Sequence, residues 1–213
     1  MELYSYSLSS ASFRVRIALE LKGLAYGYRA VHLRRNDQLG ADYASVSPTR
    51  LVPQLVDGEA SIGQSLAIIE YLDETHPEPP LLPGSAADRA RIRSLALDIA
   101  CEIHPLNNLR VLRHLVREIK LDEAAKNAWY RHWVETGLAA VERRLAGEAQ
   151  TGRHCHGDAP TLADCVLVPQ IFNARRFDCR LDHVPTVMRV FDACMALPAF
   201  QRAQPSACPD FEP

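Results

Sequence analysis

Polar and apolar positions in the first eighty residues predict a small mixed sheet covered by helices. A helix-period apolar stripe ends at Gly23, a residue that commonly terminates helices. Asp57-Gly58 separates two short apolar segments, which is a strong hairpin signal. The predicted elements are a strand over residues 2–6, a helix over 12–22, a strand over 26–31, a hairpin over 51–62 and a helix over 65–76. With a short helix before the hairpin, the order is β-α-β-α-β-β-α.

A proline-rich segment separates this region from a second one that is helical throughout. Residues 77–86 hold several prolines, which cannot continue a helix, and they predict a linker between domains 1–80 and 87–213. Apolar residues then recur in steps of three and four from Ile92 to Leu106, with a kink expected at Pro105. Further helices are expected from Asp122 to Gly147, from Thr161 to Ile171, where the segment is apolar on nearly all sides, and from Pro185.

Composition narrows the functional classes. The chain has 213 residues, 47% of them hydrophobic, and a net charge of −2, so nothing favours nucleic acid or an anionic membrane as a partner. No apolar segment approaches the roughly 20 residues that span a bilayer, and the first residues do not resemble a signal peptide. The six cysteines are scattered without a CxxC pair, which favours reduced thiols in a cytoplasmic protein.

The pair Ser9-Ser10 lies where a strand gives way to a helix. The first turn of a helix presents free N–H groups and the positive end of its dipole. A hydroxyl in that place can donate to a thiolate and lower the pKa of the thiol. The alternative interpretation is that one of these serines is an ordinary N-cap.

Two further segments could bind a peptide-like ligand. Val52-Pro53 precedes the hairpin, and a cis bond there would turn the polar backbone groups of Val52 outward; an ordinary trans proline is the alternative. Gln64-Ser65 begins a helix whose N–H groups suit a carboxylate, although Ser65 could equally be a plain N-cap.

The helical region contributes candidates of its own. His104 and Asn108 are expected to share one helix face near the kink, with Arg110 close by; a satisfied core histidine is the alternative. One arginine of the pair Arg175-Arg176 could clamp a carboxylate, although paired arginines are usually solvated. Asp164 is interpreted as the N3 residue of a capping box. The segment His154-Cys155-His156 is too short a ligand set to predict a metal site.

Several motifs together resemble one known family over essentially the whole chain. Residues 9–19, Ser-Ser-Ala-Ser-Phe-Arg-Val-Arg-Ile-Ala-Leu, resemble the signature of the zeta-class glutathione transferases, the maleylacetoacetate isomerases. The likeness continues at matching spacing through 51–53, 64–72, 161–164, 167–170 and 174–177. The resemblance implies a thioredoxin-like glutathione domain, an all-helical second domain and a homodimer.

The resemblance also assigns roles to individual positions. Ser9, assisted by Ser10, would activate the thiol of the cofactor glutathione, and Arg176 would hold a substrate carboxylate. The positions implied to bind glutathione are Gln38, Val52 before a cis Pro53, Gln64 and Ser65, together with His104, Asn108 and Arg110, of which Arg110 would also contact substrate. The implied reaction is cis–trans isomerisation of a maleyl dicarboxylate, either maleylacetoacetate or maleylpyruvate.

Two positions depart from the family pattern. Ala11 replaces the family's cysteine, and Leu8 stands where relatives often carry arginine. Arg110, which resembles an arginine of the maleylpyruvate isomerases, could supply the missing positive charge. A general detoxifying transferase or peroxidase remains the alternative activity, and a non-catalytic module with the same fold is the alternative from another class.

Overall fold

A computed structural model of the protein describes residues 1–212. The chain divides into two compact units, one formed by Met1–Leu82 with the segment that begins at Met195, and the other by Pro83–Cys194. None of the described helices is long and apolar enough to cross a membrane.

A four-stranded sheet in the order β2-β1-β3-β4 forms the centre of the first unit. β1 pairs in parallel with β2 and antiparallel with β3, and β3 pairs antiparallel with β4. Leu3 and Leu55 face each other in the β1–β3 ladder, and both are fully buried. The elements are β1 (Glu2–Ser5), α1 (Ser10–Leu21), β2 (Gly27–Ala30), α2 (Ala41–Val46), β3 (Gln54–Asp57), β4 (Ala60–Gly63) and α3 (Ser65–Thr75). This order confirms the predicted fold class, including the hairpin at Asp57-Gly58.

The second unit is helical, as predicted. Its helices are α4 (Ala86–Glu102), α5 (Leu109–Arg117), α6 (Glu123–Gly147), α7 (Leu162–Arg176) and α8 (Pro185–Met195), whose last residue belongs to the first unit. All ten residues from Leu162 to Ile171 are buried, which confirms a central buried helix. The carboxylate of Asp164 accepts hydrogen bonds from the N–H and hydroxyl of Thr161, which confirms the predicted capping box. α7 continues to Arg176 and so includes the two arginines expected to follow it.

The prediction of one long helix kinked at Pro105 is wrong. α4 ends at Glu102, and a 3-10 turn over His104–Asn107 connects it to α5. Pro105 cannot donate the backbone hydrogen bond that would continue α4. The apolar stripe nevertheless packs inward as far as Ile103, which is buried.

The C-terminal segment differs from the expected division at residue 87. Residues after Met195, including α9 (Pro198–Ala203), belong to the first unit rather than to the helical one. α9 packs on α1, and the buried guanidinium of Arg16 donates to the carbonyl oxygen of Ala203 at 2.9 Å. This long-range hydrogen bond satisfies one N–H of a buried guanidinium, which would otherwise be costly to bury.

Candidate functional site

Ser9 lies at the N-terminus of α1 and acts as its N-cap. Its Oγ accepts a hydrogen bond from the N–H of Ser12 at 3.2 Å, so the capping interpretation is confirmed. Capping uses the oxygen as an acceptor and leaves the hydroxyl proton available, and no described residue accepts it. The N–H groups of Ser10 and Ala11 also have no acceptor among residues 1–212. Three donors therefore converge at this helix end, where the dipole also favours an anion.

The loop that leads to Ser9 is held by residues that sequence reasoning missed. Arg16 donates to the carbonyl oxygens of Tyr6 and Ser7, at 3.3 and 2.9 Å. From the C-terminal segment, the carboxylate of Asp210 accepts from the N–H of Ser7 at 3.1 Å and from the hydroxyl of Tyr28 at 2.6 Å. Burial and the hydrogen bond to Asp210 raise the pKa of Tyr28, so this hydroxyl stays protonated and donates. These contacts fix the backbone two residues before Ser9.

The Val52–Pro53 peptide bond is cis, as the resemblance implies. Neither backbone polar group of Val52 has a hydrogen-bond partner in the described chain, although β3 begins only two residues later, at Gln54. An extended peptide could pair with these two groups. Gln38 lies in a 3-10 turn over Asp37–Leu39, and its buried Oε1 has no partner among the described residues.

α3 begins at Ser65 without a side-chain cap. Gln64 occupies the N-cap position with a φ of 66°, and its side chain makes no capping hydrogen bond. The N–H groups of Ser65, Leu66 and Ala67 have no acceptor within the described residues. The buried Arg14 donates to the Oγ of Ser65 at 3.2 Å, which adds a positive charge that sequence reasoning did not assign. The free N–H groups and the nearby guanidinium are the kind of partners that a carboxylate needs.

Leu8 lies against an apolar cluster that includes Tyr6, Tyr43 and Val52. The side chain at this position is half-buried and carries no charge. An arginine at position 8 would place a positive charge beside this cluster and close to Ser9. Leu8 places none there.

In the second unit, His104 and Asn108 do not share a helix face, so that expectation is wrong. His104 is half-buried in the 3-10 turn, whereas Asn108 is the N-cap of α5. The Oδ1 of Asn108 accepts from the N–H of Arg110 at 3.2 Å, and the side chain of Arg110 is exposed in the first turn of α5. Asn107, which sequence reasoning did not select, is buried, and neither atom of its side-chain amide has a partner in the described residues.

The two arginines at the end of α7 have different surroundings. Arg175 lies over the ring of Phe191, with its guanidinium carbon 4.4 Å from the ring centre. Arg176 donates to the Oδ1 of Asn173 at 3.1 Å and lies about 6 Å from the ring of Phe177. Both side chains are exposed within the chain itself. Arg176 presents a planar guanidinium next to an amide and an aromatic ring, an arrangement that suits a carboxylate.

Comparison with known proteins shows the family of this chain. Residues 3–80 match the family described as "Glutathione S-transferase, N-terminal domain". A probable maleylacetoacetate isomerase of Vibrio cholerae is 47% identical over 98% of this chain and 97% of its own.

Two solved structures resemble the whole chain. One is a holo structure of maleylpyruvate isomerase, described as a bacterial zeta-class glutathione S-transferase; it has a TM-score of 0.97, 47% identity and full coverage of both chains. The other is a maleylacetoacetate isomerase of Methylobacterium extorquens AM1 with bound malonate and GSH; it has a TM-score of 0.97, 40% identity and full coverage of both chains. The chain belongs to the zeta-class glutathione transferases, the family of the maleylacetoacetate and maleylpyruvate isomerases.

Proposed function

We propose that this protein is a glutathione-dependent cis–trans isomerase that converts a maleyl dicarboxylate to its fumaryl isomer. The observation that carries the proposal is the N-terminus of α1, where the hydroxyl of Ser9 and two backbone N–H groups are free to donate to a thiolate. The chain itself supplies no cysteine there, because the residue after Ser10 is Ala11. The sulfur therefore comes from a bound thiol, and the solved relative with GSH supports glutathione in this role.

The remaining groups of the first unit suit the rest of the tripeptide. Val52 would pair through its free backbone groups with the cysteinyl residue of glutathione. The uncapped end of α3, with Gln64 and Ser65, would bind the γ-glutamyl carboxylate, and the guanidinium of Arg14 would add to the attraction. Gln38 would satisfy its buried oxygen on an N–H of the tripeptide. Together these contacts would hold the tripeptide with its thiol beside Ser9.

The reaction needs no net redox change. The thiolate adds to one carbon of the cis double bond, and the electron pair moves to the adjacent carbonyl group as an enolate. Rotation about the resulting single bond follows. The enolate then re-forms the double bond in the trans geometry and expels the thiolate, so glutathione is regenerated. The protein keeps the sulfur ionised and orients the two reactants.

Cationic side chains of the second unit are proposed to hold the carboxylates of the substrate. Arg176 and Arg110 would bind them, and His104 and Asn108 would contact glutathione. Malonate, which is bound in the Methylobacterium structure, is itself a small dicarboxylate. Leu8 itself supplies no charge, so Arg110 would carry more of this role than in relatives that have an arginine there.

An assay of isomerase activity on both maleylacetoacetate and maleylpyruvate, with and without glutathione, would decide between the two substrates.

We further propose that the protein is a cytoplasmic homodimer that acts in aromatic amino acid catabolism. Sedimentation of the purified protein at micromolar concentration tests the assembly, and cell fractionation tests the location.

The Ser9→Ala substitution tests the mechanism. Lowering a thiol pKa by about two units corresponds to roughly 2.7 kcal/mol, and one hydroxyl donor to a charged acceptor supplies about half of that. A rise of about one unit in the thiol pKa lowers the thiolate fraction by at most about tenfold, so we expect kcat near neutral pH to fall about three- to tenfold, with a much smaller change in the Kd for glutathione. The acid limb of the pH–rate profile should move up by about one unit, because the bound thiol then ionises later.

Two control variants separate this effect from loss of the helix cap. Ser9→Thr keeps both the capping oxygen and the hydroxyl, and it should retain most of the activity. Asp122→Ala removes the cap of α6, where Asp122 accepts from the N–H of Ala125 at 2.7 Å, and it should lose about 1 kcal/mol of stability without a shift in the pH profile. An unchanged kcat and pH profile in Ser9→Ala would remove Ser9 from the mechanism.

A further inference from the structure

The turn that presents Ser9 depends on contacts from outside the turn. The N–H of Ser9 donates to the carbonyl oxygen of Tyr6 at 3.0 Å, which closes a four-residue turn with Ser7 and Leu8 at its centre. Glycine, proline, asparagine and aspartate determine a turn most strongly, whereas serine does so weakly. None of the strong turn formers is present from Tyr6 to Ser9. The conformation of this turn must therefore be fixed by tertiary contacts.

Asp210 holds the second residue of the turn through two hydrogen bonds. Its Oδ2 accepts from the N–H of Ser7 at 3.1 Å, and its carbonyl oxygen accepts from the hydroxyl of Ser7 at 3.2 Å. On the other side, the carbonyl oxygen of Ser7 accepts from Arg16 at 2.9 Å. Ser7 is fully buried, so the loss of a partner would leave a polar group unsatisfied. Asp210 and Arg16 together therefore engage every polar group of Ser7.

The carboxylate of Asp210 is itself held in place. Its Oδ1 accepts from the hydroxyl of Tyr28 at 2.6 Å, and Tyr28 belongs to β2, the edge strand beside β1. The carboxylate thus connects the turn that follows β1 to the neighbouring strand. Two residues further on, Glu212 forms an ion pair with the exposed side chain of Arg35, and neither of these two residues belongs to the turn.

The useful property of Asp210 is its geometry as an acceptor rather than its charge. A carboxylate close to a thiol raises the pKa of that thiol, which would oppose the chemistry at Ser9. The hydroxyl of Ser9, by contrast, must lie within hydrogen-bond distance of the sulfur and point toward it. An asparagine at position 210 would preserve the geometry without the charge. Its oxygen can accept from Ser7, and its amide group can donate to Tyr28, since a phenol oxygen accepts as well as donates.

We propose that Asp210 is a positioning residue for activation of the glutathione thiol, and that it holds Ser7 so that the hydroxyl of Ser9 points at the sulfur. This rests on the proposed function, because it names a residue that serves the same site. The role requires no contact between Asp210 and glutathione or substrate. Loss of the Asp210 side chain should therefore act on the thiol through Ser9.

The test is a pH titration of glutathione bound to the full-length protein, followed by the ultraviolet absorbance of the thiolate. Asp210→Ala removes the acceptor of the Ser7 N–H and should raise the pKa of the bound thiol by about 0.5, which is half the effect expected for Ser9→Ala. The kcat near neutral pH should fall by at most about threefold, and the Kd for glutathione should change less. Asp210→Asn should leave the thiol pKa within about 0.2 of the wild type, because it can keep both side-chain contacts.

A double-mutant cycle distinguishes positioning of Ser9 from a general loss of stability. Combined with Ser9→Ala, Asp210→Ala should raise the thiol pKa no further than Ser9→Ala does alone, because the hydroxyl that Asp210 positions is already absent. Arg35→Met is the matched control, since it removes an exposed ion pair of the same C-terminal segment and leaves the contacts of Asp210 intact. This control should leave the thiol pKa unchanged.

Three results would each overturn the role of Asp210: an unchanged thiol pKa in Asp210→Ala, an additive rise in the double variant, or an equal rise in the Arg35→Met control. An equal rise in Asp210→Asn would assign the effect to charge and would also overturn it. If Asp210→Ala does not fold, Tyr28→Phe decides, because it releases one side of the carboxylate while Asp210 stays in place. It should raise the thiol pKa by a smaller amount, and no rise there would overturn the proposal.

The same titration separates this inference from the proposed function. A wild-type thiol pKa equal to that of free glutathione would overturn both. A lowered thiol pKa in a protein that isomerises neither maleyl compound would overturn the isomerase function and leave the role of Asp210 in thiol activation intact.

Discussion

The buried guanidinium of Arg16 connects stability of the first unit to the position of Ser9. Its exposed fraction is 1%, and it lies on α1 facing the loop that ends β1. It donates to the carbonyl oxygens of Ala203, Tyr6 and Ser7 and to the Oγ of Ser5, at distances of 2.9–3.3 Å. Arg16→Met keeps most of the side-chain length and removes every one of these donors.

The magnitude follows from the acceptors that are left behind. The carbonyl oxygen of Tyr6 still accepts from the N–H of Ser9, and the hydroxyl of Ser5 also bonds Tyr28. Two acceptors therefore lose their partner, the carbonyl oxygens of Ser7 and Ala203. A buried acceptor without a partner costs about 1–3 kcal/mol, so these two cost about 4 kcal/mol. The methionine avoids the desolvation of a charge and fills part of the space, which offsets about 1 kcal/mol. We expect a net loss of about 3 kcal/mol in the free energy of unfolding of the first unit. Because Tyr6 and Ser7 lead directly to Ser9, kcat/KM should also fall.

The assay must report on the first unit separately. Both tryptophans, Trp129 and Trp133, lie on α6 in the second unit, so tryptophan fluorescence would miss the effect. Hydrogen exchange of peptides from α1, measured by mass spectrometry in increasing urea, reports the correct region. Arg29→Met is the matched control, because its ion pair with Glu2 is exposed and should contribute less than about 1 kcal/mol. A loss in Arg16→Met below about 1 kcal/mol, or equal to that of the control, would refute the reasoning.

Two further predictions concern α6. A Cβ at Gly137 would clash with Cγ1 of Ile103 at 2.4 Å. Gly137→Ala should therefore lower the free energy of unfolding of the second unit by about 1–3 kcal/mol, measured by urea unfolding followed by tryptophan fluorescence. Gly147→Ala is the control, because a Cβ there has open space, and an equal loss in that variant would contradict the packing argument. Glu135 accepts hydrogen bonds from Arg180, which lower the pKa of its carboxyl group from its ordinary value. The contribution of the Glu135–Arg180 pair to the free energy of unfolding is therefore present above the pKa of Glu135 in the unfolded chain, and it is lost as the pH falls through the pKa of Glu135 in the folded chain. Glu135→Gln should lower the urea midpoint at about pH 7 but not at about pH 3, and the same difference at both values would exclude this linkage.

The sequence was sufficient for elements whose signals are local. Asp57-Gly58 predicted the hairpin because the turn needs residues that tolerate unusual dihedrals, and Gly58 indeed has a φ of 59°. Asp164 was assigned to a capping box from its spacing to Thr161, and the structure forms that box. In both cases the residues that determine the conformation are at most three positions apart, so no tertiary information was needed.

Contacts between distant parts of the chain were beyond sequence reasoning. Asp210 contacts Ser7 across 203 positions, and nothing around Asp210 marks it as a partner of the loop before Ser9.

The end of α4 at Glu102 was missed for a different reason. The apolar stripe continues through the 3-10 turn to Leu106, and a turn with similar periodicity cannot be distinguished from a kinked helix by pattern alone.

The residues at a helix N-terminus do not by themselves distinguish a cap from a binding site, because serine, threonine and aspartate serve both. The pairing of the cap side chain itself is what distinguishes them here. Ser85 and Thr161 donate their hydroxyl protons to Asp88 and Asp164, and the carboxylate of Asp122 has no proton to donate, so the caps of α4, α7 and α6 are satisfied within the chain. Ser9 caps α1 but keeps its hydroxyl proton without an acceptor among the described residues, and α3 has no side-chain cap. Both of these helix ends belong to the first unit, one beside the buried Arg14 and one at Ser9. A ligand with a carboxylate at one end and a thiolate further along satisfies both, and γ-glutamyl-cysteinyl-glycine has that order of groups.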